Sequence, residues 1–364
     1  MKGFMSIIFR GKELFRLLRL IRQVIKYFLY YTGIIDIIHF LITSKLPVCI
    51  IWRYHSVVDI KEGAVLYATP SITVSPNEFE RQIKYLSKRY NIISLDELVS
   101  SIKCGCIPRN SLIITFDDGY RDNYLYAYPI LKKYGATATI YLTANCIGSN
   151  EMVWMHKVLY MLQNTRIEEM DINGKLYPLK NRNDILMACK IIGGMVKRIK
   201  SIKERDELLD DLANRLQVSV VVVDNLMLKW EDVLAMKCDG FSFGAHTLTH
   251  PNLPSLSREE MKEEIARSKK VIEEKLVEPV ILFSYPNGGA ASHYNDVVKQ
   301  VVKECGYINA TTSDSGVVDV KSDLYALLRR GVSKENGLID MAIGSVVEKL
   351  NWLLAGNKKD GKIK

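Results

Sequence analysis

Three short stretches carry residues that could do chemistry. Thr115-Phe116-Asp117-Asp118-Gly119-Tyr120 sets two carboxylates side by side. Adjacent carboxylates repel unless a cation or a proton relieves them. Gly244-Ala245-His246-Thr247-Leu248-Thr249-His250 sets two imidazoles four residues apart. On one helical turn that spacing turns both rings the same way, and neutral imidazoles so placed are good ligands for a divalent ion such as Zn²⁺. The chain has only six histidines, so a pair at this spacing stands out. Joined by Asp118 the pair becomes a His₂Asp set with positions left for water and substrate, the open site that metal-assisted hydrolysis uses. Arg53-Tyr54-His55-Ser56-Val57 ends an apolar run, and a histidine there can act as a general acid. Each stretch alone also reads blandly: an Asp-Asp-Gly turn capping a helix, a structural histidine pair, a core histidine satisfied by hydrogen bonds.

The elements that must position these residues are β-rich runs separated by helical stretches. The runs are Val48–Trp52, Ser111–Phe116, Ala136–Leu142, Phe241–Ala245, Val280–Ser284, Tyr307–Thr311 and Ala326–Val332. A helix is expected from about 122 to 134. Another is expected over 257–275, where Ser257 and Glu260 form a capping box and Glu263/Arg267 and Glu264/Ser268 follow at i, i+4. Alternating strands and helices predict a largely parallel sheet or barrel, and in such folds sites are built at the C-terminal strand ends. Residues 150–229 break the rhythm. Trp154 and His156 open a helix there, Asn173-Gly174 reads as a hairpin turn, and one long charged helix is expected from about 183 to 216. This stretch reads as an insertion.

The composition is globular: 48% apolar and 25% charged. The net charge of +9 is concentrated at the ends. Residues 1–46 hold eight Lys/Arg against two acids, residues 357–364 four Lys against one Asp, and the body between is neutral. A neutral body argues against a nucleic-acid groove. The seven scattered cysteines lack zinc-knuckle spacing and read as reduced thiols. Leu14, Leu17, Leu18, Ile21, Val24, Ile25 and Phe28 recur on one helical face, with Lys12, Arg16, Arg19 and Lys26 on another. A basic amphipathic helix of this kind lies on anionic lipid. After Gly33 a second apolar stretch carries Asp36, which would cost about 2.5–3.5 kcal/mol inside a span. Residues 1–45 are therefore expected to be a basic amphipathic segment on an anionic membrane surface, the alternative being a helical hairpin packed on the domain. No signal-peptide pattern is read. With the odd cysteine count, this favours the cytoplasmic face, and the expected location is cytoplasmic, peripheral at the inner face of the membrane.

TFDDGY and HTLTH resemble the first two motifs of the polysaccharide deacetylase family (carbohydrate esterase family 4, the chitooligosaccharide deacetylase or NodB homology domain), and Phe283-Ser284-Tyr285-Pro286-Asn287-Gly288 is similar to its third. The resemblance covers roughly 46–150 and 228–335. It implies a distorted (β/α)7-type barrel carrying the α-rich insertion, and removal of N-acetyl groups from a sugar by a divalent metal, Zn²⁺ first, with Co²⁺ or Ni²⁺ as alternatives. By position, Asp117 would be the base that deprotonates a metal-bound water. Asp118, His246 and His250 would be the ligands. Tyr285, Pro286 and Asn287 would contact substrate, the Asn287 N–H stabilising the oxyanion.

Two departures narrow the resemblance. Ser284 stands where the third motif usually has an Arg that orients the base, and no His follows His293 to supply the usual late general acid. Both gaps resemble the biofilm poly-N-acetylglucosamine deacetylase subgroup, in which the acid comes from an early Tyr-His matching Tyr54-His55. The resemblance thus makes His55 the general acid. Arg329 or Arg330 could replace the orienting Arg, with Arg329 favoured. Trp230 could stack on a sugar or belong to the core, and His293 reads as a loop residue. The expected domains are 1–45, a barrel over 46–356 with the insertion at about 150–229, and a basic tail over 357–364. The expected function is N-deacetylation of an N-acetylhexosamine-containing polysaccharide or a lipid-linked sugar. The rivals are a catalytically silent glycan-binding module and a hydrolase of another acyl group or cyclic amide.

Overall fold

Seven short strands run parallel: β1 (Cys49–Tyr54), β2 (Ser111–Phe116), β3 (Thr139–Leu142), β4 (Ser242–Ala245), β5 (Leu282–Ser284), β6 (Asn309–Thr311) and β7 (Arg330–Gly331). Their order in the sheet is β6-β5-β4-β3-β2-β1-β7, and the two-residue strand Asn91–Ile92 also pairs with β2. The computed structural model describes residues 2–60, 68–219, 225–290, 292–332 and 337–360, without the side chains of 2–16 and 356–360. The sheet curls. Leu327 bridges to Thr311 beside β6, while Arg330 and Gly331 pair with Trp52 and Arg53 of β1, so the strip 327–331 reaches both ends of the sheet.

Side-chain alternation sorts the strands into two cores. Ile50, Trp52, Tyr54, Leu112, Ile114 and Phe116 face the surrounding helices. Cys49, Ile51, Ile113, Tyr141, Leu282 and Leu327 face the barrel axis. The axial parity continues upward through Arg53 and His55 on one strand, Thr115 and Asp117 on the next, and Arg329 beyond Leu327. The chemistry-bearing residues therefore emerge on the axis at the C-terminal rim because of where they fall in the alternation.

The helices used below are α1 (Lys2–Tyr31), α2 (Ile34–Leu41), α3 (Trp154–Asn164), α4 (Arg182–Val196), α5 (Ile202–Leu216), α6 (Arg258–Leu276) and α7 (Leu338–Asp360). The expected single helix over 183–216 is two helices, α4 and α5. The break comes at Ser201, whose side chain accepts from the Glu204 N–H and caps α5, an S-x-x-E start signal inside the charged run. The expected helix over 122–134 is a π-turn, Asn123–Ala127, followed by a short helix Tyr128–Lys133. Pro129 in the first turn fits only a helix start. The hairpin at 169–178 turns through Asn173 and Gly174 at φ 56° and 78°, both left-handed as its two-residue turn demands.

At Gly33 the chain takes φ 75°, and α2 leaves α1 at 64°. Asp36 on α2 pairs with Arg89 through both oxygens, at 2.8 and 2.6 Å. Ile35 and His39 are buried against the barrel. Lys26 on α1 bonds Asp340 on α7. Above that contact α1 exposes Leu17, Leu20, Ile21, Val24 and Phe28. The side chains of Lys12, Leu14 and Arg16 lie outside the described residues, as do those of the basic tail. No single described helix is long and apolar enough to cross a membrane.

Candidate active site

Asp117 follows β2 directly, and its N–H donates to the Tyr54 carbonyl, which keeps it in the strand's line. Asp118 then takes φ 74° and Gly119 φ 83°. A side chain at 119 could not follow, because a Cβ there would lie 2.7 Å from Ile147 Cδ1. Strand alternation leaves Asp117 on the axis, and the reversal that follows brings Asp118 to His246 and His250 beyond the end of β4. A non-glycine residue at positive φ is strained, and His250 and Asn287 share that state at φ 60° and 70°.

Arg329 is fully buried and meets Asp117 end-on: Nη1 to Oδ1 at 2.7 Å, Nη2 to Oδ2 at 2.8 Å. Its remaining donors reach the Thr312 carbonyl, Thr115 Oγ1 and Ser284 Oγ. Ser284 leaves room for this guanidinium where the family's usual arginine would stand. Arg330, one residue on, has the opposite parity and faces outward to Glu348. Burial alone would raise the Asp117 carboxyl, but Arg329 and the nearby imidazoles hold it well below the usual carboxylate range.

The His246–His250 stretch is not a helical turn, as its spacing suggested, but a tight loop with Thr247 at φ 65°. Its rings converge because the loop is held at several points. Thr247 Oγ1 accepts from the His250 N–H. Glu264 Oε2 takes the N–H groups of Leu248 and Thr249, and Oε1 takes the Thr249 hydroxyl. Arg205 donates to Thr249 from the insertion side. Glu264 therefore does not form the expected surface pair with Ser268, which bonds the Ile265 carbonyl instead. It lies on the buried stripe of α6 with Met261, Ile265, Ser268 and Ile272. An acid on that apolar stripe was the available signal for a fixed inward partner.

Asp118, His246 and His250 each offer one donor atom, all within 4.8 Å of one another. His246 Nδ1 donates to the Ser284 carbonyl at 2.8 Å, which leaves Nε2 with a free lone pair. That Nε2 lies 3.5 Å from Asp118 Oδ1, and His250 Nε2 lies 3.3 Å from the same oxygen. Asp118 Oδ1 is buried with no hydrogen-bond partner. Burial holds the His246 ring neutral, its pKa lowered to about 4. An orphaned carboxylate oxygen beside two imidazole nitrogens fits a divalent cation, and nitrogen-and-oxygen donors do not select which one.

Residues 105–310 match the sequence profile of the family described as polysaccharide deacetylase. The chain belongs to the polysaccharide deacetylase family. It is 25% identical over 316 residues to a Bacillus subtilis protein named as a polysaccharide deacetylase, YxkH, covering 84% of this chain and 77% of that one. It is 33% identical over 119 residues to a poly-beta-1,6-N-acetyl-D-glucosamine N-deacetylase of Staphylococcus epidermidis, covering 32% and 39%. Among solved structures it shares its fold with the Streptococcus pyogenes deacetylase PplD at a TM-score of 0.56 and 20% identity, over 82% of this chain and 98% of that one. It also shares its fold with IcaB of Ammonifex degensii at 0.53 and 16%, over 83% and 98%. The curled α/β barrel is thus the family's fold.

In this member of the family, His55 stands at the axis beside the carboxylate pair, its Nε2 3.9 Å from Asp117 Oδ2. Burial lowers its pKa to about 4, so the ring rests neutral. Tyr285 and Pro286 are buried. The Tyr285 ring stacks on Tyr294 and its hydroxyl donates to the Tyr325 carbonyl, so the side chain is committed to the core. Asn287 is half-buried, and its side chain is tied to the Pro251 carbonyl at 3.2 Å, next to His250. Among the described residues no backbone carbonyl accepts its N–H. Trp230 is not brought to the ligand trio. It packs on Gly148 and lines a depression of about 420 Å³ with Ser149, Glu151 and Asn225. His293 bonds Asn252 and stands outside the trio. Beyond Glu264 and Arg205, sequence reasoning left unassigned Tyr120, fully buried two residues after Asp118.

Proposed function

We propose that this chain is a metal-dependent hydrolase that removes N-acetyl groups from an N-acetylhexosamine-containing polysaccharide or glycolipid. The observation that carries the proposal is a carboxylate held ionised by a bidentate arginine beside a ready-made His₂Asp donor set. The names of the staphylococcal relatives support an N-acetylglucosamine polymer as the substrate class. A divalent ion held by Asp118, His246 and His250 would polarise the acetamide carbonyl and acidify water at the site.

The protein's own groups then divide the work. Asp117, fixed by Arg329, takes a proton from the attacking water. The backbone N–H of Asn287 would donate to the developing oxyanion. His55 is neutral at rest, so it serves as a general acid only after receiving a proton. At 3.9 Å from Asp117 it is beyond direct hydrogen-bond reach, so one bridging water would carry the proton Asp117 has accepted to His55, which passes it to the departing amine. Atoms balance: water is consumed, acetate and a sugar amine leave.

The exposed apolar stripe of α1 and its neighbouring Arg19, Arg22 and Lys26 support peripheral attachment to an anionic membrane surface. The seven unpaired thiols support the reducing, cytoplasmic side. A lipid-linked sugar is the substrate that suits such a position.

The test of the hydrolase is acetate release from N-acetylglucosamine oligomers by the full chain loaded with Zn²⁺ or Co²⁺, beside Asp117→Asn. Release that vanishes in the variant is expected. No release across oligomers and lipid-linked sugars, with metal bound, would overturn it.

A further inference from the structure

The first helix of the insertion reaches back to the candidate metal site in two places. Trp154 Nε1 donates to the His250 carbonyl at 2.8 Å. His156 Nε2 bonds the Tyr120 hydroxyl, their rings 5.0 Å apart. The Asp118 carboxylate is a close electrostatic neighbour of that hydroxyl. Trp154, His156 and Tyr120 are all buried.

The donors and acceptors here have one consistent arrangement. His156 Nδ1 is buried and has no partner. An orphaned buried N–H is rarer than an orphaned lone pair, so the ring proton belongs on Nε2, where it is donated to the Tyr120 oxygen. The tyrosine's own proton is then free to point at Asp118. Asp118 Oδ1 has no hydrogen-bond partner and faces His246 and His250, so Oδ2 is the oxygen that this proton would reach. Outer partners of this kind fix the orientation of a ligating carboxylate.

We propose that Tyr120 and His156 are positioning residues for the metal: a His156–Tyr120–Asp118 hydrogen-bond chain, with Trp154 steadying His250, through which the insertion's first helix sets metal affinity. The proposal rests on the reading of Asp118, His246 and His250 as ligands. It gives the insertion a role beneath the site rather than in substrate contact.

The test is Co²⁺ binding to the full chain, followed by visible absorption and by chelator competition, with no substrate present. Tyr120→Phe and His156→Leu should each weaken Co²⁺ binding about 10- to 100-fold and shift the Co²⁺ absorption bands. The double variant should be no worse than either single one, because the chain acts as a unit. His156→Gln, which keeps a donor, should recover most of the affinity. Affinities within twofold of the parent for both single variants would overturn the proposal. So would losses that add in the double variant, match a fall in the metal-free melting temperature and are not rescued by His156→Gln, for these mark a merely structural role. A parent chain that binds no Co²⁺ would overturn the ligand reading itself, which keeps that failure distinct.

Discussion

Arg329 grips both oxygens of Asp117 at 2.7 and 2.8 Å across 212 positions of sequence, and neither residue is open to solvent. A buried carboxylate that must act as a base cannot be stabilised by water. The guanidinium fork supplies the charge and fixes the plane in which the carboxylate lies. Arg329→Lys keeps the charge and loses the fork. Turnover should fall about 10- to 100-fold with KM little changed, since a misplaced group costs on that scale. Arg329→Met leaves a buried charge unpaired and should cost about 3–5 kcal/mol of stability, read by denaturant unfolding. Turnover of Arg329→Lys equal to the parent would show that the guanidinium fork does not position Asp117 for catalysis.

His55 carries the second prediction. His55→Phe should lower turnover about 10²- to 10⁴-fold and leave Co²⁺ binding intact. Burial sets its pKa at about 4, so the protonated fraction of a resting ring falls tenfold per pH unit above that value. If His55 receives its proton during each cycle, turnover from pH 5 to 7 is flat with respect to this group. A tenfold decline per unit across the same range would mean that His55 must be protonated beforehand.

These two residues show what could be read without coordinates. Asp117, Asp118, His246 and His250 sit in two compact runs at strand ends, so local pattern placed them. The pairing of Arg329 with Asp117 is a matter of strand parity and of Ser284 leaving space. The resemblance raised Arg329 and Arg330 together, and the alternation along Leu327, Arg329 and Gly331 separates them. The loop that turns His246 and His250 together was misread as helical because a spacing of four is also what a helix gives. Glu264 and Arg205 make that loop, and they lie 14 or more residues from it in sequence. Tyr120 and His156 meet only because the insertion folds back, and no local pattern records that.

Lys349 on α7 offers a test of the fold independent of the site. Its Nζ is buried with no hydrogen-bond partner and lies 5.0 Å from the Tyr90 ring centre. Burial lowers its pKa to about 8. Between that value and the free-lysine range the unfolded chain binds more protons than the folded one, so stability should rise with pH above 8. Lys349→Met should stabilise the protein at pH 7 by about 1–3 kcal/mol, since a shift of one unit corresponds to about 1.4 kcal/mol. It should also flatten the rise between pH 8 and 10. An unchanged melting temperature with the alkaline rise intact would assign the titration to another group.

The membrane proposal makes the last prediction. On α1, Val24 and Phe28 are each 59% exposed and lie one turn apart on the same face as Ile21. Among the described residues nothing covers them fully, whereas Ile35 and His39 of the adjoining α2 are buried against the barrel. Seating one such side chain in lipid contributes about 1.5–3 kcal/mol, and about 1.4 kcal/mol is a tenfold change in binding. Val24→Glu with Phe28→Glu should therefore reduce co-sedimentation of the full chain with phosphatidylglycerol vesicles by at least about 100-fold. The unaltered chain should bind phosphatidylcholine vesicles more weakly, and raising the salt should weaken its hold on phosphatidylglycerol, because Arg19, Arg22 and Lys26 add a screened attraction. The two substitutions lie outside the barrel core, so acetate release from short soluble oligomers should be unchanged in the double variant. An unaltered chain that stays wholly in the supernatant with phosphatidylglycerol vesicles at low salt would leave the apolar stripe to another partner and sink the membrane proposal.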